Sequence, residues 1–169
     1  MVLAIIKLIV IHNRRASEKL VKTGDAVRMR EVMEQALRNP LIRVGCRTER
    51  ASGCPVPAEW VTRGKPGPVV LYLHGGGYVV GSPGTHRPLV ASILKKTGGR
   101  ALVVDYRLAP EHPYPAQRDD ACAAYRWLLE SGVSPSGIAV MGDSAGGGLG
   151  LAMVQELRRA GVPLPSGCV

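Results

Sequence analysis

A serine stands between two glycines in Gly142-Asp-Ser-Ala-Gly146, directly after an apolar run and directly before a stretch of helical periodicity. A chain that turns from strand to helix this sharply forces the residue at the bend, Ser144, into a strained backbone conformation, and Gly142 and Gly146 leave room for the neighbouring backbones to approach. The Ser144 hydroxyl then projects above the C-terminal edge of the sheet, where open α/β sheets take their ligands. The amides that follow it, Ala145 first, belong to a helix N-terminus and favour a developing negative charge. Nucleophilic attack on an acyl carbon is the chemistry these residue types suit. A glycine-rich turn with a bystander serine is the competing reading, and the strand–turn–helix context disfavours it.

A second run, His74-Gly-Gly-Gly77, ends another apolar stretch, Val69-Val-Leu-Tyr-Leu73. Successive glycines let backbone N–H groups face a substrate oxygen without side-chain obstruction, as a tetrahedral acyl-transfer intermediate requires. A phosphate-cradling loop would need a lysine or an acidic partner at fixed spacing, and neither is present. His74 reads as a brace for this loop rather than a base, with Gly75 in the same loop. Asp143 sits inside the serine motif.

The elements that must position these groups follow from the pattern. Residues 43–49 and 56–62 read as an antiparallel hairpin. Apolar runs at 69–74, 101–106 and 137–142 read as core strands covered on both faces. Helices are expected at 88–96, 117–130 and 145–159. Strands alternating with helices predict a largely parallel sheet. The class is α/β, with residues 42–169 as the core and residues 1–41 as N-terminal cap helices: a short one capped by Ser17, then one capped by Asp25 carrying Val27, Val32, Met33 and Leu37 on one face. Gly167-Cys-Val169 reads as the opening of a further strand. A sheet left with an apolar edge invites aggregation, so the chain is expected to be the N-terminal part of a longer one, with Ser144 on a loosely held bend.

Composition bounds the alternatives. The 169 residues are 46% hydrophobic and 21% charged, ordinary for a folded domain. The net charge of +9 concentrates in the first 50 residues, but no nucleic-acid motif accompanies it, and aromatic content of 4% with no Phe argues against base stacking. Cys46, Cys54, Cys122 and Cys168 lack metal-site spacing and are expected to be reduced thiols in a cytoplasmic protein, although a Cys46–Cys54 disulfide is conceivable. The apolar opening Met1–Ile11 is too short to span a bilayer and is not arranged as a secretory signal; packing on the domain is the default, interfacial contact the alternative.

Three linked motifs, His74-Gly-Gly-Gly-Tyr78, Asp105-Tyr-Arg-Leu-Ala-Pro-Glu-His112 and Gly142-Asp-Ser-Ala-Gly-Gly147, together resemble the hormone-sensitive-lipase-like carboxylesterases of the α/β-hydrolase fold, over roughly residue 50 to the end. The resemblance implies an incomplete α/β-hydrolase fold in which Ser144 is the nucleophile and the N–H groups of Gly76, Gly77 and Ala145 form the oxyanion hole. It makes the 105–112 segment structural, and small-molecule esters of short to medium acyl chains the substrates. It implies a covalent acyl-enzyme, and neither metal nor cofactor. In that family the triad acid and histidine lie C-terminal to the nucleophile, and the residues after Ser144 include no Asp or His. Neither His86 nor His112 holds the base's position, and His12 lies in the N-terminal tail. Loss of the base typically removes on the order of 10⁴–10⁶ in kcat. The chain alone is therefore expected to be weak or inactive; the alternative is a catalytically dead half-fold that binds a ligand or partner.

Overall fold

A computed structural model describes residues 25–37, 45–64 and 66–169 of the chain. Helix α1 (Ala26–Leu37) precedes β1 (Arg47–Arg50), β2 (Ala58–Thr62), β3 (Val69–Leu73), α2 (Pro83–Thr97), β4 (Arg100–Val104), α3 (Ala116–Glu130), a 3₁₀ turn at Pro135–Gly137, β5 (Ile138–Gly142), α4 (Ala145–Arg159) and β6 (Gly167–Cys168). One six-stranded sheet runs in the order β1-β2-β4-β3-β5-β6. The first two strands form the expected antiparallel hairpin, which joins β4 antiparallel; all pairs from β4 to β6 are parallel.

The central strands are apolar on both faces because both faces are covered. Leu71, Leu73, Leu102, Val104, Ile138 and Val140 pack against Tyr125 and Leu128 of α3 and Leu149, Met153 and Leu157 of α4. The alternate residues Val70, Tyr72, Ala101 and Val103 meet Val90 and Leu94 of α2 on the opposite side. The period-2 alternation thus divides between two apolar layers instead of between core and water. All four cysteines are free thiols, so the 46–54 bridge is absent.

Three expectations are corrected. Helix α2 begins at Pro83, five residues before Pro88, because Ser82 and Thr85 form a reciprocal capping box and Pro83 fits the first turn. Pro88 is carried inside the helix. In α1 Val27 is exposed and its neighbour Ala26 is buried, although Asp25 does cap the helix by accepting from the Arg28 N–H at 2.9 Å. The bend at Ser144 does not lack an outer neighbour: β6 pairs alongside β5, and the Gly142 N–H donates to the Val169 carbonyl at 3.0 Å. The Ser17 helix, the Met1–Ile11 segment, His12 and most of the residue 1–41 cap lie outside the described residues. Among the described residues no helix is long and apolar enough to cross a membrane.

Candidate active site

The sheet order sets the location. Strand β3 has β4 on one side and β5 on the other, so the connections leaving its neighbours diverge and open a crevice at the strands' C-terminal ends. Leu73 pairs with Gly142 and also with Val104, so three loops leave the sheet at one height. They begin at His74, Asp143 and Asp105.

Ser144 is the first residue past β5 that is exposed, and it is the N-cap of α4 with φ 51° and ψ −119°. Only Ser144 and Tyr78 among the described non-glycine residues hold a positive φ, and both flank the crevice. The crowding that requires glycine on either side is measurable. A Cβ on Gly142 would sit 2.4 Å from the Gly146 carbonyl carbon, and one on Gly146 would sit 2.0 Å from the Leu73 carbonyl oxygen. The α4 N-terminus therefore presses directly onto the end of β3. Among the described residues no side chain is hydrogen-bonded to the Ser144 hydroxyl. The Ala145 N–H, in the first helical turn, has no intrahelical acceptor.

The loop after β3 is held from several directions. Asp143 accepts from the Gly75 N–H at 2.9 Å and from the Tyr72 hydroxyl at 2.8 Å, and His86 Nε2 lies 3.5 Å from the same oxygen. Burial opposes ionisation of Asp143, but the Tyr72 hydroxyl, the His86 ring and the Gly75 amide outweigh it and hold the carboxyl below its ordinary value. Gly75 thus spends its N–H within the protein. Gly76 and Gly77 adopt φ 125° and 62°, and neither N–H is given to a backbone acceptor among the described residues. Open space surrounds Gly77, where an added Cβ would meet nothing within 4 Å.

His74 is fully buried. Its ring stacks on Tyr106 at 4.2 Å between centroids and lies 5.4 Å from the His86 ring. Nδ1 lies 2.9 Å from the Gly75 carbonyl, which can only accept, so the proton resides on Nδ1. Burial lowers the His74 pKa to about 4, keeping the ring neutral. In the 105–112 segment the Tyr106 hydroxyl donates to the His74 carbonyl at 2.6 Å, and Arg107 forms a forked ion pair with Asp120.

Sequence reasoning missed four participants. Tyr72 and His86 reach Asp143 from β3 and α2, and Arg30 and Glu111 join α1 to the loops above the sheet. Only Tyr72 carried a usable signal, since alternation places it on the same face of the sheet as a residue just past the end of β5. A polar cavity of about 410 Å³ opens elsewhere, between β1, β2 and the α2 N-terminus. Glu49, Glu59, Arg87 and Asp105 line it, and Ser144, Gly76 and Gly77 do not.

The structure thus places an exposed, positive-φ serine on a strand–helix bend, one strand away from a glycine loop whose Gly76 and Gly77 amides go to no backbone acceptor among the described residues. The family model described as alpha/beta hydrolase fold matches residues 70–169, and the chain belongs to that family. An acetyl-hydrolase of Streptomyces hygroscopicus is 49% identical over 113 residues, covering 66% of this chain and 38% of the relative. Carboxylesterase NlhH of Mycobacterium tuberculosis is 51% identical over 102 residues, covering 57% of this chain and 31% of that protein. Among solved structures, an esterase from the bacterial hormone-sensitive lipase family matches with TM-score 0.76 and 51% identity, covering 82% of this chain and 48% of its own. EstE5, soaked with p-nitrophenyl butyrate, matches with TM-score 0.77 and 44% identity, covering 83% and 48%. The chain thus spans from 31% to 48% of the length of these relatives.

Proposed function

We propose that this chain carries the nucleophile half of a carboxylic-ester hydrolase acting on esters of short to medium acyl chains. The Ser144 oxygen attacks the ester carbonyl carbon and gives up its proton to a base. The carbonyl oxygen becomes an oxyanion at the N–H groups of Gly76, Gly77 and Ala145. Collapse of the tetrahedral intermediate expels the alcohol and leaves an acyl group on Ser144, which water then removes. The observation that carries this reading is the pairing of an exposed, positive-φ Ser144 with the unspent glycine amides one strand away. The named esterase relatives at up to 51% identity support the substrate class.

In the chain alone no described histidine is hydrogen-bonded to Ser144, and an unactivated serine hydroxyl is a poor nucleophile at neutral pH. Turnover is therefore expected to be smaller by on the order of 10⁴–10⁶ than with a base in place. The test is release of p-nitrophenol from p-nitrophenyl acetate, with intact-mass detection of the acetylated protein, against Ser144→Ala. An acyl adduct that builds up slowly on Ser144 and is absent from the variant is the expected result. Equal background release with no adduct on either protein would overturn the reading, and would favour a half-fold that only binds.

A further inference from the structure

The N-terminal helix reaches the glycine loop through one side chain. Arg30 of α1 donates from Nε to the Val79 carbonyl at 2.6 Å and from Nη2 to the Ala109 carbonyl at 2.6 Å. Its two terminal nitrogens meet the Glu111 carboxylate at 2.8 and 2.7 Å. A planar guanidinium can satisfy two carbonyls and a carboxylate at once, which a lysine ammonium cannot do in one geometry.

What Val79 does next matters. The N–H groups of Val79 and Val80 both donate to the Gly76 carbonyl, at 3.1 and 3.0 Å. That carbonyl shares its rigid peptide plane with the Gly77 N–H, which points the opposite way. Fixing the Gly76 oxygen therefore fixes the direction of the Gly77 donor. The Ala109 N–H closes the same loop from outside by donating to the Tyr78 carbonyl at 2.8 Å. A second tie from α1, Ser82 to Glu34, lies beyond this turn.

We propose that Arg30 is a positioning residue for the oxyanion loop, acting through Val79 and the 109–111 segment to aim the Gly77 amide. This rests on the nucleophile reading of Ser144, because aim matters only if charge develops there. A reacting group displaced by about 1 Å can cost on the order of 10²-fold in rate.

The experiment uses the 169-residue chain and a fluorophosphonate probe. An Oγ–P bond forms at Ser144, and fluoride leaves with the serine proton. Arg30→Ala is expected to lower the maximal labelling rate by roughly ten- to a hundredfold with little change in half-saturating probe concentration. Arg30→Lys should recover only part of it. Hydrogen exchange at residues 75–81 should rise at least tenfold in Arg30→Ala while exchange in α4 stays constant. Unchanged exchange at 75–81 overturns the brace whatever the labelling does, and so does an unchanged labelling rate where wild type is labelled faster than Ser144→Ala. If wild type and Ser144→Ala are labelled alike, the nucleophile reading falls and exchange alone decides the brace. Should Arg30→Ala fail to fold, Arg30→Lys decides by the same exchange measurement.

Discussion

The Gly75 N–H donates to the Asp143 carboxylate at 2.9 Å, tying the loop after β3 to the loop after β5. Removing this acceptor leaves the Gly75 amide and the Tyr72 hydroxyl unpaired. Asp143→Ala is expected to cost about 1.5–3 kcal/mol, the range for hydrogen bonds to charged groups. Gly75→Ala should cost at least as much, because its Cβ would lie 2.1 Å from Asp143 Oδ2 and 2.9 Å from the Asp143 main-chain oxygen. The double variant should lose less than the two single losses added together, since both act on one contact. Urea unfolding midpoints check all three.

Two glycines of the same site should respond very differently to alanine. Gly146→Ala drives a methyl to 2.0 Å from the Leu73 carbonyl and should prevent α4 from seating, costing roughly 3 kcal/mol or more. Gly77→Ala meets open space and bears only the strain of φ 62°, about 1–2 kcal/mol. Thermal melts of the two variants separate them.

Backbone strain at Ser144 should be recoverable. Its φ of 51° with ψ −119° belongs to a region costing about 1–3 kcal/mol for an L-residue. Ser144→Gly is expected to raise stability by up to about 1 kcal/mol after the added unfolded-state entropy, while Ser144→Ala leaves it nearly unchanged. A midpoint for the glycine variant below that of the alanine variant would show that the bend stores no strain.

His74 predicts a pH slope. Its pKa falls from about 6.5 to about 4 on burial, so between those values the unfolded chain binds the extra proton and the folded one does not. Stability should be fully present above pH 6.5 and decline as pH drops toward 4, by about 3 kcal/mol in all. Asp143, held below its ordinary value, titrates beneath this window. Denaturant titrations at pH 7, 5.5 and 4.5 should show the decline, and His74→Gln should flatten it.

The motifs were legible because each is local. Gly142-Asp-Ser-Ala-Gly146 and His74-Gly-Gly-Gly77 both follow apolar runs, and that adjacency alone places them at strand ends. What the sequence withheld depends on contacts distant along the chain. Arg30 meets Glu111 across a separation of 81 residues, and Tyr72 meets Asp143 across 71. Periodicity has no bearing on the first pair, and for the second it gives only the shared face of the sheet. The start of α2 was misplaced for a different reason: Pro88 attracts the N-terminal reading, while the Ser82–Thr85 box that begins the helix is a weaker pattern. Gly167-Cys-Val169 reads as the opening of a strand, but its pairing beside β5 stays hidden because two residues are too few for alternation to fix a partner.

Leu73 and Gly142 face each other across β3 and β5, so the sheet serves as a ruler for everything that rises from its end. Adding or deleting one residue within either strand would move one loop by about 3.3 Å relative to the other. Ser144 and the Gly76–Gly77 loop would then be offset by a full step, with every side chain still chemically intact. Tolerance to insertion should therefore be lowest in the two strands, and higher in the connecting helices that share no such gauge.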